Sequence, residues 1–240
     1  LPPYKDSILI AAPRPIFIQT ALGGSSSWDP IIQGFDGGII VTLPLDDDGD
    51  DAYSADVLVE RLGAAISRIP GPRVIVGTGL GGMLGMEIAR SFPYEVDALI
   101  AIGCAAQCRI PTGVRGTTAD IADNLVAHGV AIADGDLVDD LALALARSDP
   151  KRLLRELDVF ESIRLHDTAH EILCPTLVIV GAHDTWAIPH DAEALARSLA
   201  RHHFVIVEDA GHFVHVDAPE TLRLLITAFL ARFDISTHRG

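Results

Sequence analysis

Residues 73–86 read RVIVGTGLGGMLGM. The run Val74-Ile75-Val76 is β-branched and apolar, the composition of a strand buried on both faces. From Leu80 onward the apolar spacing is helical. The turn between them, Gly77-Thr78-Gly79-Leu80-Gly81, carries glycine at every second position. A G-x-S-x-G elbow needs small residues on both sides of its apex, because strand and helix must approach closely while the apex residue sits in a strained turn. Gly77 and Gly81 occupy the flanks, Gly82 follows, and the apex is Gly79, which has no side chain to act as a nucleophile.

Similar apolar runs recur to either side: PIFIQ (15–19), GIIVTL (38–43), DALIAIG (97–103), PTLVIVG (175–181) and HFVIVE (203–208). Each is nearly continuous, as for strands of a parallel sheet covered on both faces. Between them lie segments with a 3.6-residue period, such as Ala55, Val59, Leu62, Ile66 and Ile69. Near the C-terminus Leu222, Leu225, Ile226, Phe229, Leu230 and Phe233 form a broader stripe, with Asp217 as cap, Pro219 in the first turn and Glu220 three residues after the cap. The alternation predicts an α/β fold, a doubly wound and mostly parallel sheet. Residues 104–173 break it. NLVAHGVAIA, DLVDDLALALAR and PKRLLRELDVF are helical, and no strand is evident. The expected organisation is a core of residues 1–103 and 174–240, with residues 104–173 as a helical lid over the strands' carboxyl ends.

The chain has 240 residues, enough for one large domain or one domain with an insertion. With 18 basic against 33 acidic residues, the net charge of −15 argues against a nucleic-acid partner and an anionic membrane surface. Apolar stretches are strand-sized, short of the roughly 18 residues that span a bilayer. LPPYKDSILIAAP lacks the plan of a signal peptide, and Cys104, Cys108 and Cys174 match no zinc spacing. A cytoplasmic protein without metal or cofactor is expected.

Ligands of open α/β sheets bind at the carboxyl ends of the strands. There the sequence places the elbow, then Gly181-Ala182-His183-Asp184, then Gly211-His212-Phe213-Val214-His215. After the first long strand comes Gln19-Thr20-Ala21-Leu22-Gly23-Gly24-Ser25-Ser26-Ser27-Trp28. An Asp at one strand end can orient a His at the next and raise its basicity. The glycine-rich turn could aim backbone N–H groups at an anion.

In this order the four pieces resemble the α/β-hydrolase family, and more narrowly its small capped members such as enol-lactone and C–C bond hydrolases. The resemblance covers nearly the whole chain and is most specific at PTLVIVGAHD and GHFVHVDAPE. It implies Asp184 as the acid, His212 as the general base, Gly79 at the vacated nucleophile position, and an oxyanion hole from the Leu80 and Ala21 amides. The sequence departs from the family at Gly79, at Gln19-Thr20 where the family has His-Gly, and at PLDDDGDD after the next strand.

Without the hydroxyl, covalent attack is closed. A carboxylate-backed imidazole with two N–H donors suits proton abstraction from a carbonyl or enol. The expected function is therefore non-hydrolytic: cyclisation, isomerisation, lyase cleavage or decarboxylation of a small apolar, biosynthetic metabolite. A non-catalytic scaffold on a retired hydrolase frame stays open, as do a serine replaced by hand in a genuine ester, lactone or C–C hydrolase, and a homodimer. Gln19, Thr20, Trp28, Cys104 and Trp186 are candidate pocket residues. Ser25, Ser26 and Ser27 read better as caps than as nucleophiles. His215 reads as packing near the last helix. The run at 46–51 fails the calcium-loop pattern. Gly77, Gly79 and Gly82 have dinucleotide spacing, but no acidic ribose partner ends the next strand.

Overall fold

The structure, a computed structural model, describes residues 14–43, 53–116, 120–131 and 135–232. The N-terminal LPPYKDSILIAAP segment, the acidic run 46–51 and Phe233 lie outside the described residues. All six apolar runs are strands: β1 Pro15–Gln19, β2 Ile39–Thr42, β3 Val74–Thr78, β4 Ala98–Ile102, β5 Thr176–Gly181 and β6 His202–Val207. They form one sheet in the order β2-β1-β3-β4-β5-β6, with every pairing parallel. The helices are α1 Asp29–Ile32, α2 Ala55–Ser67, α3 Leu80–Ser91, α4 Ile121–Gly129, α5 Asp136–Arg147, α6 Pro150–Ser162, α7 Pro189–Ser198, α8 Val214–Asp217 and α9 Pro219–Arg232.

Side chains of successive strand residues point to opposite faces, so each strand supplies two cores. Ile16, Ile75, Leu99 and Val178 pack on one side with Leu62 of α2, Met83 of α3 and Leu195 of α7. Phe17, Val76, Ile100 and Ile179 pack on the other with Ile31 of α1 and Ile226 of α9. β1, β3, β4 and β5 are buried along their whole length. Among the described residues, β2 and β6 have a single neighbour each and are partly exposed, so continuous apolarity does not mean two covered faces there.

Backbone pairing carries on past the strand ends and aligns the loops that follow. Gly79 N–H donates to the Ile102 carbonyl (2.8 Å), Gly103 N–H to Ile179 (2.8 Å) and Ala182 N–H to Val207 (2.9 Å). The elbow, the end of β4 and the Asp184 loop are thereby held on one rim.

Between residues 104 and 173 the described residues contain no strand. Helix α6 packs on α3 and α2, and α5 packs on the 3-10 turn Ser25–Trp28. The Asp217 cap is corrected. α9 starts at Pro219, which puts its cap at Ala218, and the Asp217 carboxylate accepts instead from the N–H groups of Gly211 (2.7 Å) and Ala131 (3.2 Å). Among the described residues, no helix is long and apolar enough to cross a membrane.

Candidate active site

Gly79 caps α3 with φ 49° and ψ −118°, a conformation that L side chains rarely adopt and glycine reaches without strain. Its neighbours are small for a steric reason. A β-carbon on Gly77 would stand 2.4 Å from the Gly81 carbonyl carbon, and one on Gly81 would stand 2.7 Å from the Ile18 carbonyl oxygen. Leu80 opens α3, so its N–H has no acceptor within the helix.

The two side chains expected from β5 and β6 meet over this apex. His212 Nδ1 lies 3.0 Å from Asp184 Oδ2 and 3.2 Å from Oδ1. Asp184 Oδ1 also accepts from the backbone N–H groups of Trp186 (2.8 Å) and Ala187 (2.9 Å), which fix the carboxylate. In the neutral ring, an Nδ1–H donated to that carboxylate leaves the lone pair on Nε2. Nε2 points at the elbow, 2.9 Å from where a β-carbon on Gly79 would stand.

Aromatic rings enclose the imidazole. Trp186 stacks on it (centroids 4.4 Å, planes 14° apart), and Phe160 and Phe213 stand at 5.8 and 5.4 Å. The Trp186 Nε1–H donates to the His128 carbonyl (3.1 Å), tying this wall to α4. Beneath the ring, Gly103 has φ 61°, and a β-carbon there would stand 3.1 Å from His212 Cε1 and Nδ1. His212 and Asp184 are both buried.

The amide side differs from the expectation. Ala21 N–H donates to Glu156 Oε1 (3.1 Å) and Leu22 N–H to Oε2 (2.9 Å). Tyr53 O–H and Arg152 Nε–H donate to Oε1, each at 3.1 Å. The Ala21 member of the predicted Leu80–Ala21 pair is therefore already taken within the chain, because α6 delivers a buried carboxylate to it. Burial raises the Glu156 carboxyl above its ordinary pKa, and the Leu22 amide, Arg152 and the Ala21 amide pull it back. Burial, then the charge of Glu156, pushes the Tyr53 phenol up and keeps it a donor. Gln19, Thr20 and Ala21 line a cavity of about 190 Å³ with Thr42, Leu43, Ser148 and Arg152. Neither dyad residue lines that cavity, so Gln19 and Thr20 are grouped with Arg152 rather than with His212.

Two further pocket candidates are corrected. Trp28 lies in the core on the α1–α9 side of the sheet, beside Phe17 and stacked on His215 (4.7 Å, 10°). The 3-10 turn carries it away from the rim. Cys104 is buried under α3, its Sγ near the carbonyl oxygens of Ile102 (3.4 Å) and Gly79 (3.5 Å), and a β-carbon on Gly82 would strike it at 2.5 Å. Burial holds that thiol well above its ordinary pKa, so it is no thiolate. Ser27 Oγ donates among the Gly23 and Gly24 carbonyls, with His215 Nε2 3.0 Å away. The side chains of Ser25 and Ser26 lie outside what is described. Trp186 does join the dyad.

Sequence reasoning missed Glu156, Phe160 and Gly103. Glu156 had a signal: with Leu153, Leu157 and Phe160 it shares the buried face of α6, and an acidic residue inside an apolar stripe needs buried partners. Gly103 ends an apolar run, and nothing local shows that an imidazole lies on it.

The sequence model described as "Alpha/beta hydrolase family" matches residues 17–223. A mouse (Mus musculus) protein named sn-1-specific diacylglycerol lipase ABHD11 is 24% identical, over 91% of this chain and 81% of its own. RutD of Escherichia coli O150:H5 (strain SE15), named for carbamate hydrolysis, is 28% identical, over 96% of this chain and 94% of its own. The crystal structure of the enol-lactonase from Burkholderia xenovorans LB400 has the same fold, with a TM-score of 0.76 at 18% identity over 92% of both chains.

Proposed function

The chain belongs to the alpha/beta hydrolase family, and from that premise we propose that it is an enzyme in which His212, oriented by Asp184, acts as a general base directly on its ligand. In this reading Gly79 stands where the family has its nucleophilic serine. The chemistry is proton transfer without an acyl-enzyme, on a small, mostly apolar carbonyl or enol compound: cyclisation, isomerisation, lyase cleavage or decarboxylation. Residues 104–173 act as the lid.

One contrast carries the reading. The base and its orienting acid are assembled at 3.0 Å, with two backbone donors on the acid, while the parts that acyl transfer needs are not. The apex has no hydroxyl, and the Ala21 amide is held by Glu156. Losing a nucleophile costs a serine protease about a millionfold, whereas a placed general base contributes about 10²–10⁴ unaided. A serine at the apex would also have to push back an imidazole already 2.9 Å from its β-carbon. Relatives named for lipid, carbamate and lactone hydrolysis make carbonyl compounds the ligands to test.

The rival reading is a non-catalytic binding protein. It draws on the closure of the site, with Phe160, Trp186 and Phe213 buried around the dyad and Glu156 buried on the Ala21 amide. Exchange of acidic C–H protons for deuterium, followed by NMR over a panel of β-keto acids, enol-lactones and 1,3-diketones, separates the two. The enzyme is expected to accelerate exchange in at least one class, and His212→Ala to lose about 10²–10⁴ of that rate. A rate undiminished in His212→Ala ends the role of the dyad. A parent protein inert toward the whole panel makes the binding protein the better account.

A further inference from the structure

We propose that the turn after β1 is a carboxylate-binding subsite, which Glu156 fills from within the chain until a small carboxylic acid takes its place. The inference rests on the reading above in one respect, that the rim beside Gly79 receives a ligand.

The seat is built for a carboxylate. Adjacent amides, Ala21 N–H and Leu22 N–H, each take one oxygen of the group, at 3.1 and 2.9 Å. Tyr53 O–H and Arg152 Nε–H converge on Oε1 from the side, and Arg152 supplies the balancing charge. Four donors on one fully buried carboxylate compensate its loss of water, and charge-assisted hydrogen bonds of this kind are the strong ones. Any anion of the same shape meets the same donors.

A second observation points to a ligand from outside. The cavity of about 190 Å³ touches the seat at Ala21 and Arg152, and its other walls include Thr20, Thr42 and Ser148. A small molecule lodged there has its polar end beside two of the donors that hold Glu156. Exchanging one carboxylate for another keeps the charge on the donors unchanged. Phe160 lies one turn beyond Glu156 on the same buried face of α6 and stands over the imidazole. Displacing Glu156 therefore loosens the element that closes the dyad.

An internal occupant lowers apparent affinity by the fraction of time it holds the seat. Isothermal titration of the full chain with benzoate and butyrate, and with benzamide and butyramide as uncharged controls, tests this. Glu156→Ala is expected to bind the carboxylates about tenfold tighter than the parent, with the amides unchanged, and Glu156→Gln about threefold tighter. If the alanine variant does not fold, the glutamine variant carries the comparison, since it keeps the volume and one acceptor. A folded Glu156 variant that binds benzoate no tighter than the parent, or binds benzamide equally well, overturns the subsite and leaves Glu156 a structural tether. The titrations are repeated with His212→Ala added. A gain that persists there while no turnover is found keeps the subsite and removes the catalytic reading. Turnover lost on His212→Ala with no gain from the Glu156 variants does the reverse.

Discussion

Replacing Gly79 by alanine adds one carbon where the elbow, the imidazole and Phe160 meet. The backbone there has φ 49° and ψ −118°, and a non-glycine residue in such a region costs about 1–3 kcal/mol. The new carbon also starts 2.9 Å from His212 Nε2, closer than real β-carbons come, with Phe160 Cζ at 3.8 Å. The ring cannot retreat freely, because Trp186 stacks on one face and Asp184 holds Nδ1. Moving it stretches a buried hydrogen bond, itself worth about 1 kcal/mol. The sum is a destabilisation of about 2–4 kcal/mol, which in a domain of this size lowers Tm by roughly 4–16 °C. Thermal and urea unfolding of the parent and Gly79→Ala measure it, and the His212 ring resonances should shift in the same variant. A Tm within about 1 °C of the parent would refute the reasoning, because the smallest expected penalty already exceeds that shift.

Two further outcomes follow from the same geometry. Gly77→Ala sets a β-carbon 2.4 Å from one backbone carbon and 2.5 Å from the Gly82 nitrogen, atoms that cannot yield as a side-chain tip can. We expect a loss of about 4 kcal/mol or more, read as a collapse in folded yield or urea midpoint, and a parent-like midpoint would contradict it. His215 gives a pH signature. Burial lowers its pKa to about 4 from the ordinary 6.5, against the Gly23 carbonyl that pulls it up. The unfolded chain takes up this proton below pH 6.5 and the folded chain only near pH 4, so the contribution is complete above 6.5 and lost as pH falls through that window. The full loss is about 3 kcal/mol. Unfolding free energies of His215→Gln between pH 7 and pH 4 should fall less steeply than the parent's by that amount, and parallel curves would show that His215 does not titrate in the fold.

The six strands were legible because each is a local apolar run, and a strand in the middle of a parallel sheet needs nothing more to be recognised. The elbow was legible in part for a similar reason: strand and helix cannot come close unless position 77 is glycine, and its contacts with Gly81 and Gly82 lie within five residues, whereas the contact that requires glycine at 81 is with Ile18 of β1. Asp184 and His212 were found as a pair because topology brings adjacent strand ends to one rim. Trp28 was misplaced because a single 3-10 turn sends its indole to the opposite face of the sheet, and no periodicity reports that rotation.

The residues along the chain thus set the element order, the glycine apex and the rim on which acid and base meet, since strand runs and the Gly77 turn are local matters of shape and a parallel sheet brings its strand ends to one rim. What holds the Ala21 amide was a question for packing. Its partner Glu156 lies 135 residues away, on a helix whose approach to the β1 turn depends on how α2, α3 and α6 sit together. A buried donor takes whichever acceptor the fold brings within 3 Å or so, and spacing along the chain carries no record of that choice.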